Sequence, residues 1–355
     1  MPGSQDFAAD PRNDAVLLYL NGQLVPRQEA KVSVFDAGFV LGDGVWEGLR
    51  LHHGAFLFLD AHMDRLYEGA RAIALDIGMS RAEMIAALRQ TVEANRMESG
   101  VHIRLMVTRG PKKAPNQDPR NALGRPTIVI VAEHKEPSEE IVHRGLKLVT
   151  SSIRCTPKEM FDMRLNSHSR LALIRALLDV IDKGADEALM LDPQGFVSSC
   201  NATNFFFVKQ GVVCTSTGDY CFNGVTRANV IGLCRANDIP IRVEDFPLSD
   251  VHAADEAFVT GTFGGLTPVR EIDGYTSAVA LSLQQQDSAT DEISHNVSSA
   301  ADGAKGLVPV LEDVTQAVGD TRSAAQKVLS ASETVEKAAT SLQRGIERFL
   351  ERVAV

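Results

Sequence analysis

Long apolar runs are missing from this sequence: nowhere do some 18 to 20 hydrophobic residues follow one another, roughly the length a membrane-spanning helix requires. Basic residues are not in excess either. Lys and Arg total 36 against 46 Asp and Glu, a formal charge of -10, which argues against nucleic acid or an anionic membrane surface as a partner. Residues 1–14 hold Pro, Gly and Asp where a signal peptide would have a basic start and an apolar stretch, so a flexible N-terminal tail and a cytoplasmic location are expected. The five cysteines (Cys155, Cys200, Cys214, Cys221, Cys234) are odd in number, and none stands in a CxxC spacing. Reduced, buried thiols are expected, with no disulfide framework and no metal site.

Composition shifts sharply near the end of the chain. From Thr276 onward there is no Trp, Tyr, Met or Cys, and Phe349 is the one aromatic. Apolar and small residues recur there in alternating steps of four and three, from Val279 and Leu283 through Leu307, Leu311 and Val314 to Ile346, Phe349 and Val353. That spacing, held over about ten heptads, predicts an α-helical, coiled-coil-like tail over 276–355. Pro309 divides it into two stretches, because a proline inside a helix removes a backbone hydrogen bond. Residues 281–304 and 323–353 resemble the C-terminal end of bacterial chemoreceptor signalling domains. The resemblance covers only the returning helix of such a domain, so no signalling role is implied.

The first 275 residues alternate strand and helix patterns. VLLYLNGQLV (16–25) places Asn21-Gly22 between alternating apolar residues, a hairpin signal. A helical stretch around 60–73 and the strand-like IRLMVTRG and PTIVIVAE complete a small α/β domain over 15–140, with a long polar surface loop at 110–126. A larger α/β domain is expected over 141–275, with helices around 171–184 and 226–238 among further strands.

Five ordered motifs in this region resemble the class IV aminotransferases, the pyridoxal-phosphate enzymes of branched-chain and D-amino acid type. They are FDAGFVLGDGVWEGLR (35–50), HMDRL (62–66), GADEALMLDPQGFVSSCNATNFFFV (184–208), FNGVTRANV (222–230) and DEAFVTGTFGGLTPVREIDG (255–274). The resemblance implies a two-domain α/β fold, a homodimer, and a small-molecule substrate, an apolar amino acid and a 2-oxo acid exchanging an amino group. It also implies that Arg65, Thr262 and the amides of Val225 and Thr226 cradle the cofactor phosphate, the arrangement a helix start and a cation would supply to a dianion. Phe39, Leu41 and Trp46 should wall the substrate side, and the Thr262-Phe263 turn should present amides to a substrate carboxylate.

At the reactive end the sequence departs from the family. By the same resemblance Arg164 stands at the Schiff-base lysine position, with Arg170 as the second arginine of the segment, and a guanidinium is never deprotonated to a nucleophile. Lys158 and Lys183 are the nearest lysines. Ser199 stands where a glutamate is expected beneath the pyridine nitrogen. Two further functions are therefore carried beside transamination: a cofactor-independent lyase or hydrolase acting on a small anionic substrate, with Arg164 as anion clamp, and an inactive interaction protein using its coiled-coil tail. Weaker signals are a Ser167-His168 pair, the thiol of Cys200, and Asp36, Asp43 and Glu47, for which turn capping and solvation are the expected roles.

Overall fold

Alternating burial along the strands builds two separate sheets. The computed structural model describes residues 3–273, together with the backbone of Tyr275–Thr276. The heptad pattern, Pro309 and the chemoreceptor-like stretches lie outside the described residues. The first sheet has six strands in the order Gln23–Pro26, Leu17–Leu20, Thr127–His134, Val101–Thr108, Gly44–His52 and Ala55–Phe56, and every pairing is antiparallel. Asn21 and Gly22, both at positive φ, turn the first hairpin as expected of an Asn-Gly pair. Along Val101–Thr108 alternate residues are buried, so Val101, Ile103, Leu105 and Val107 face a core closed by helices Leu59–Ala72 and Arg81–Ala94. The opposite face of this strand carries His102 and Arg104.

The second sheet has ten strands and mixes parallel with antiparallel pairs. Its centre is Glu256–Gly261, Gly265–Ile272, Leu146–Thr150 and Glu187–Leu191, with the successive strands Phe196–Cys200 and Asn204–Lys209, which do not pair with each other, taking two different places in the order. Phe205, Phe206 and Phe207 are all fully buried because both faces of this sheet are covered. Helix Val225–Ala236 packs Val230, Ile231 and Cys234 against Phe206, and helix Leu171–Leu178 buries Ala176 on the neighbouring core. All five cysteines are free and buried, and among the described residues no helix is long and apolar enough to cross a membrane.

Two expectations need correction here. Residues 3–10 do not form a loose tail. Ser4 is buried with its hydroxyl bonded to the carboxylate of Glu187, and Gln5 reaches the cavity described below. Glu47, expected to be solvated, is fully buried.

Candidate functional site

A cavity of about 420 Å³ gathers residues from both sheets. It is lined by Trp46, Arg65 and Arg104 of the first sheet and its helices, and by Asn166, Arg170, Ser199, Thr226, Thr260, Thr262 and Phe263 from the rest of the chain.

One end is shaped for an anion. Helix Val225–Ala236 begins at the wall, with Gly224 as its N-cap and Thr226 in its first turn, so its unpaired amides concentrate positive potential there. Asn204 sets the approach: its Nδ2 donates to the carbonyl of Phe222 at 2.6 Å and its Oδ1 accepts from the amide of Gly224 at 3.2 Å. A Cβ at Gly224 would lie 2.3 Å from Asn204 Oδ1, so only glycine fits beside that clamp. Arg65 enters from helix Leu59–Ala72. Its Nε and Nη2 donate to the two oxygens of Glu47 at 2.8 and 2.6 Å, and Nη1 donates to the carbonyl of Asn223 at 2.9 Å. Of its five N–H groups, one on each Nη stays available to a ligand. Burial pushes the Glu47 carboxyl toward neutrality, but the bonds from Arg65 and His62 more than reverse this and hold it below its ordinary range. Thr260 Oγ1 is buried with no hydrogen-bond partner among the described residues, although its side chain lines the cavity. A phosphate oxygen placed here would satisfy it.

The hairpin turn between strands Glu256–Gly261 and Gly265–Ile272 carries Thr262 and Phe263. It is pinned by Arg50, whose Nη1 donates to the carbonyl of Phe263 at 2.7 Å, and by His102, whose ring meets that of Phe263 edge-on at 5.4 Å. Burial, reinforced by the charges of Lys135, Arg104 and Arg50, depresses the His102 imidazolium to about 3, so this ring is neutral.

The reactive end differs from the expectation. Arg164 does not line the cavity. Its side chain is about half exposed and closes on Asp162, with Nη2 to Oδ2 at 2.7 Å. The residues of this segment that do line the cavity are Met163, Asn166 and Arg170. The cause is backbone pairing: the amide of Trp46 donates to the carbonyl of Asn166 at 3.0 Å and that of His168 to the carbonyl of Gly44 at 3.0 Å. These bonds tie 166–168 to the start of strand Gly44–His52 and turn Asn166 inward, while Arg164 stays on the surface side. Asn166 is buried, donates to the carbonyl of Trp46 and accepts from Arg170 Nη2.

No lysine lines the cavity among the described residues. Lys158 pairs with Asp219 at 3.1 Å and lies over the ring of Tyr220, 5.2 Å from its centre, and Lys183 is exposed. Ser199 does line it, but its hydroxyl already donates to the carbonyl of Thr203 at 2.7 Å and accepts from Asn204 Nδ2 at 3.3 Å. A pyridoxal phosphate therefore finds a cradle for its phosphate but neither an amine to link to nor an acid for its ring nitrogen.

The remaining expected residues divide. Trp46, Thr226, Thr262 and Phe263 line the cavity, whereas the side chain of Val225 is buried beside it. Phe39 and Leu41 are exposed by 72% and 37% and do not reach it. They lie on the short helix Ala37–Leu41, which buries Ala37 alone and stops at Gly42 in the left-handed region. Asp36 caps that helix through a bond to the amide of Gly38, and Asp43 is held by Arg109 at 2.6 Å. Burial lifts the Cys200 thiol well above its usual range, so it is inert.

Known proteins resemble this chain over most of the described residues. The family model for amino-transferase class IV matches residues 44–272. A branched-chain-amino-acid aminotransferase-like protein of Arabidopsis thaliana is 38% identical over 264 residues, covering 74% of this chain but 47% of its own, so the chain spans about half the length of that relative. A putative branched-chain-amino-acid aminotransferase of Methanocaldococcus jannaschii is 38% identical over 258 residues, covering 72% of this chain and 88% of its own. Among solved structures, a branched-chain aminotransferase of the thermophilic archaeon Thermoproteus uzoniensis with norvaline superposes with a TM-score of 0.67 at 29% identity, over 74% of this chain and 89% of that one.

Proposed function

Because this chain belongs to the class IV aminotransferase family, we propose that it is a member that holds small anionic molecules of the amino acid or 2-oxo acid class without covalent attachment of a cofactor. Pyridoxal phosphate is a ligand of the Arg65 end, bound through its phosphate, and ordinary transamination is very slow. The observation that carries this reading is the lining of the cavity: among the described residues it holds no lysine, and the segment around Arg164 contributes Met163, Asn166 and Arg170. Asparagine offers no basic nitrogen, and a guanidinium keeps its proton at any working pH. The supporting half is the anion cradle of Arg65, Thr226 and the Gly224 turn.

A homodimer fits the exposed apolar residues Val34, Phe35 and Phe39, which lie close together in the sequence beside the first sheet. Its test is the molar mass in solution.

The functional reading is tested by recording the absorbance of the purified protein with and without added pyridoxal phosphate, then treating with borohydride. The expected result is a reversible spectrum of the free aldehyde and hydrate, with no pyridoxyl group fixed to any peptide. A pyridoxyl group recovered on Lys158 would overturn it.

A further inference from the structure

Three guanidiniums share two aromatic rings of the cavity. Arg65 lies 4.2 Å from the centre of the Phe222 ring and Arg170 lies 5.3 Å from the same ring. Arg170 is also 5.6 Å from the Trp46 ring, which Arg104 covers at 3.6 Å. Phe222 is thus shared by Arg65 and Arg170, and Trp46 by Arg170 and Arg104. Charge across the three is uneven. Glu47 neutralises Arg65, but neither Arg170 nor Arg104 has a carboxylate partner among the described residues, and no Asp or Glu lines the cavity. Among the described residues, the one side-chain hydrogen bond of Arg170 goes to the neutral amide of Asn166, and its buried Nε has no partner. Arg170 is partly withdrawn from water, and a charge so placed without a counter-charge is costly, so it is expected to be completed by an anion, with the exposed Arg104 adding positive potential beside it. Burial first, and then the charges of Arg104 and Arg65, lower the Arg170 guanidinium to about 10.

We propose that Arg170, with Arg104 beside the same Trp46 ring, is the binding site for a carboxylate, and that the cavity selects small molecules bearing a phosphate at one end and a carboxylate at the other. The phosphate sits between Arg65, Thr226 and Thr260, and the carboxylate is taken up by the fork of Arg170. A planar guanidinium suits this task because two of its N–H groups match the two carboxylate oxygens. This inference rests on the reading that the Arg65 end still takes a phosphate, and it adds the second anionic group as the determinant of specificity.

Calorimetric titration of the full chain with matched probes tests it. 3-Phosphoglycerate and glycerol 3-phosphate differ chiefly in the carboxylate, and inorganic phosphate reports the Arg65 end alone. 3-Phosphoglycerate is expected to bind at least about tenfold more tightly than glycerol 3-phosphate, the effect of one charge-assisted pair. Arg170→Gln should abolish that preference while leaving the affinity for inorganic phosphate unchanged, and Arg170→Lys should restore part of it. Should Arg170→Gln fail to fold, Arg104→Gln, on an exposed side chain, must still narrow the preference. Equal binding of the two organic phosphates by the wild type, or an undiminished preference in the variants, overturns the inference. Loss of inorganic phosphate binding in the wild type would instead overturn the underlying reading of the Arg65 end. Succinate binding as tightly as 3-phosphoglycerate would show that the site selects dicarboxylates and refute the phosphate assignment.

Discussion

Arg65 closes on Glu47 through two parallel hydrogen bonds, Nε to Oε1 at 2.8 Å and Nη2 to Oε2 at 2.6 Å, with His62 Nδ1 at 2.8 Å from the second oxygen. Glu47 lies on a strand of the first sheet, and Arg65 and His62 lie one turn apart on the helix covering it. The fully buried carboxylate thereby fixes the direction of the cation at the anion end of the cavity. Shape and charge of the site are set by a contact within one domain core.

Removing that carboxylate should loosen the site and weaken the fold together. Glu47→Gln leaves Arg65 without its counter-charge and His62 without its carboxylate partner in a buried position, and is expected to cost about 3 kcal/mol. Urea denaturation measures the loss, and a weakened response to phosphate measures the misdirected arginine.

Arg65→Ala should abolish ligand stabilisation at the same end. A ligand present at about 100 times its dissociation constant adds roughly 2.7 kcal/mol to the wild type. The variant is itself destabilised by the stranded Glu47, so the quantity to compare is the shift each protein shows on adding pyridoxal phosphate. Equal shifts in the two proteins would remove Arg65 from the site.

Much of this was legible in the sequence. The Asn21-Gly22 hairpin and the succession of strands and helices followed from apolar periodicity. Trp46, Arg65, Thr226 and Thr262, expected from the motifs, all line the cavity, with Thr226 in the first turn of helix Val225–Ala236 and Thr262 just after strand Glu256–Gly261. The segment 151–170 has no helix or strand of its own, and its register there is set by bonds from 166–168 to Gly44 and Trp46. Nothing local signals those long-range bonds, so the sequence did not show that the Arg164 side chain would stay outside the cavity while Met163 and Asn166 line it. Arg104 was hidden for another reason. An arginine on the outer face of an alternating strand reads as a solvated side chain until a cavity is found to cover that face. The docking of Ser4 and Gln5 had no sequence signal.

Stability should have its maximum in mildly acidic solution, because two buried carboxylates act with opposite sign. The folded Glu47 is held below its ordinary value of 4.5, so its contribution is complete above that value and is lost as pH falls through the lower, folded value. Burial raises Glu187, bonded to Ser4 and Thr203, from 4.5 to about 7. Its folded form holds the proton more tightly, so its contribution is complete below 4.5 and is lost as pH rises through about 7. Glu187→Gln should flatten the decline between these values and leave the acid limb in place. Denaturation midpoints measured across pH would show whether the two limbs respond separately.

The sharpest prediction compares two lysine substitutions two residues apart. Arg164→Lys places the amine where the present guanidinium is, half exposed beside Asp162 and outside the cavity. That neighbour holds the ammonium protonated, since an adjacent carboxylate favours the charged form. Asn166→Lys places it inside, next to Arg170, where burial and a neighbouring positive charge both lower its pKa from the unperturbed value of about 10.4 toward that of a nucleophile. The expected outcome is that borohydride fixes a pyridoxyl group at the substituted position in Asn166→Lys and at no position in Arg164→Lys. Turnover should stay low even in Asn166→Lys, because Ser199 spends its proton on the carbonyl of Thr203 and has none to keep the ring nitrogen cationic. Adding Ser199→Glu to Asn166→Lys should raise turnover by supplying that charge. Peptide mapping decides between the two positions, and trapping in Arg164→Lys but not in Asn166→Lys would mean that this segment is threaded two residues out of register with the cavity.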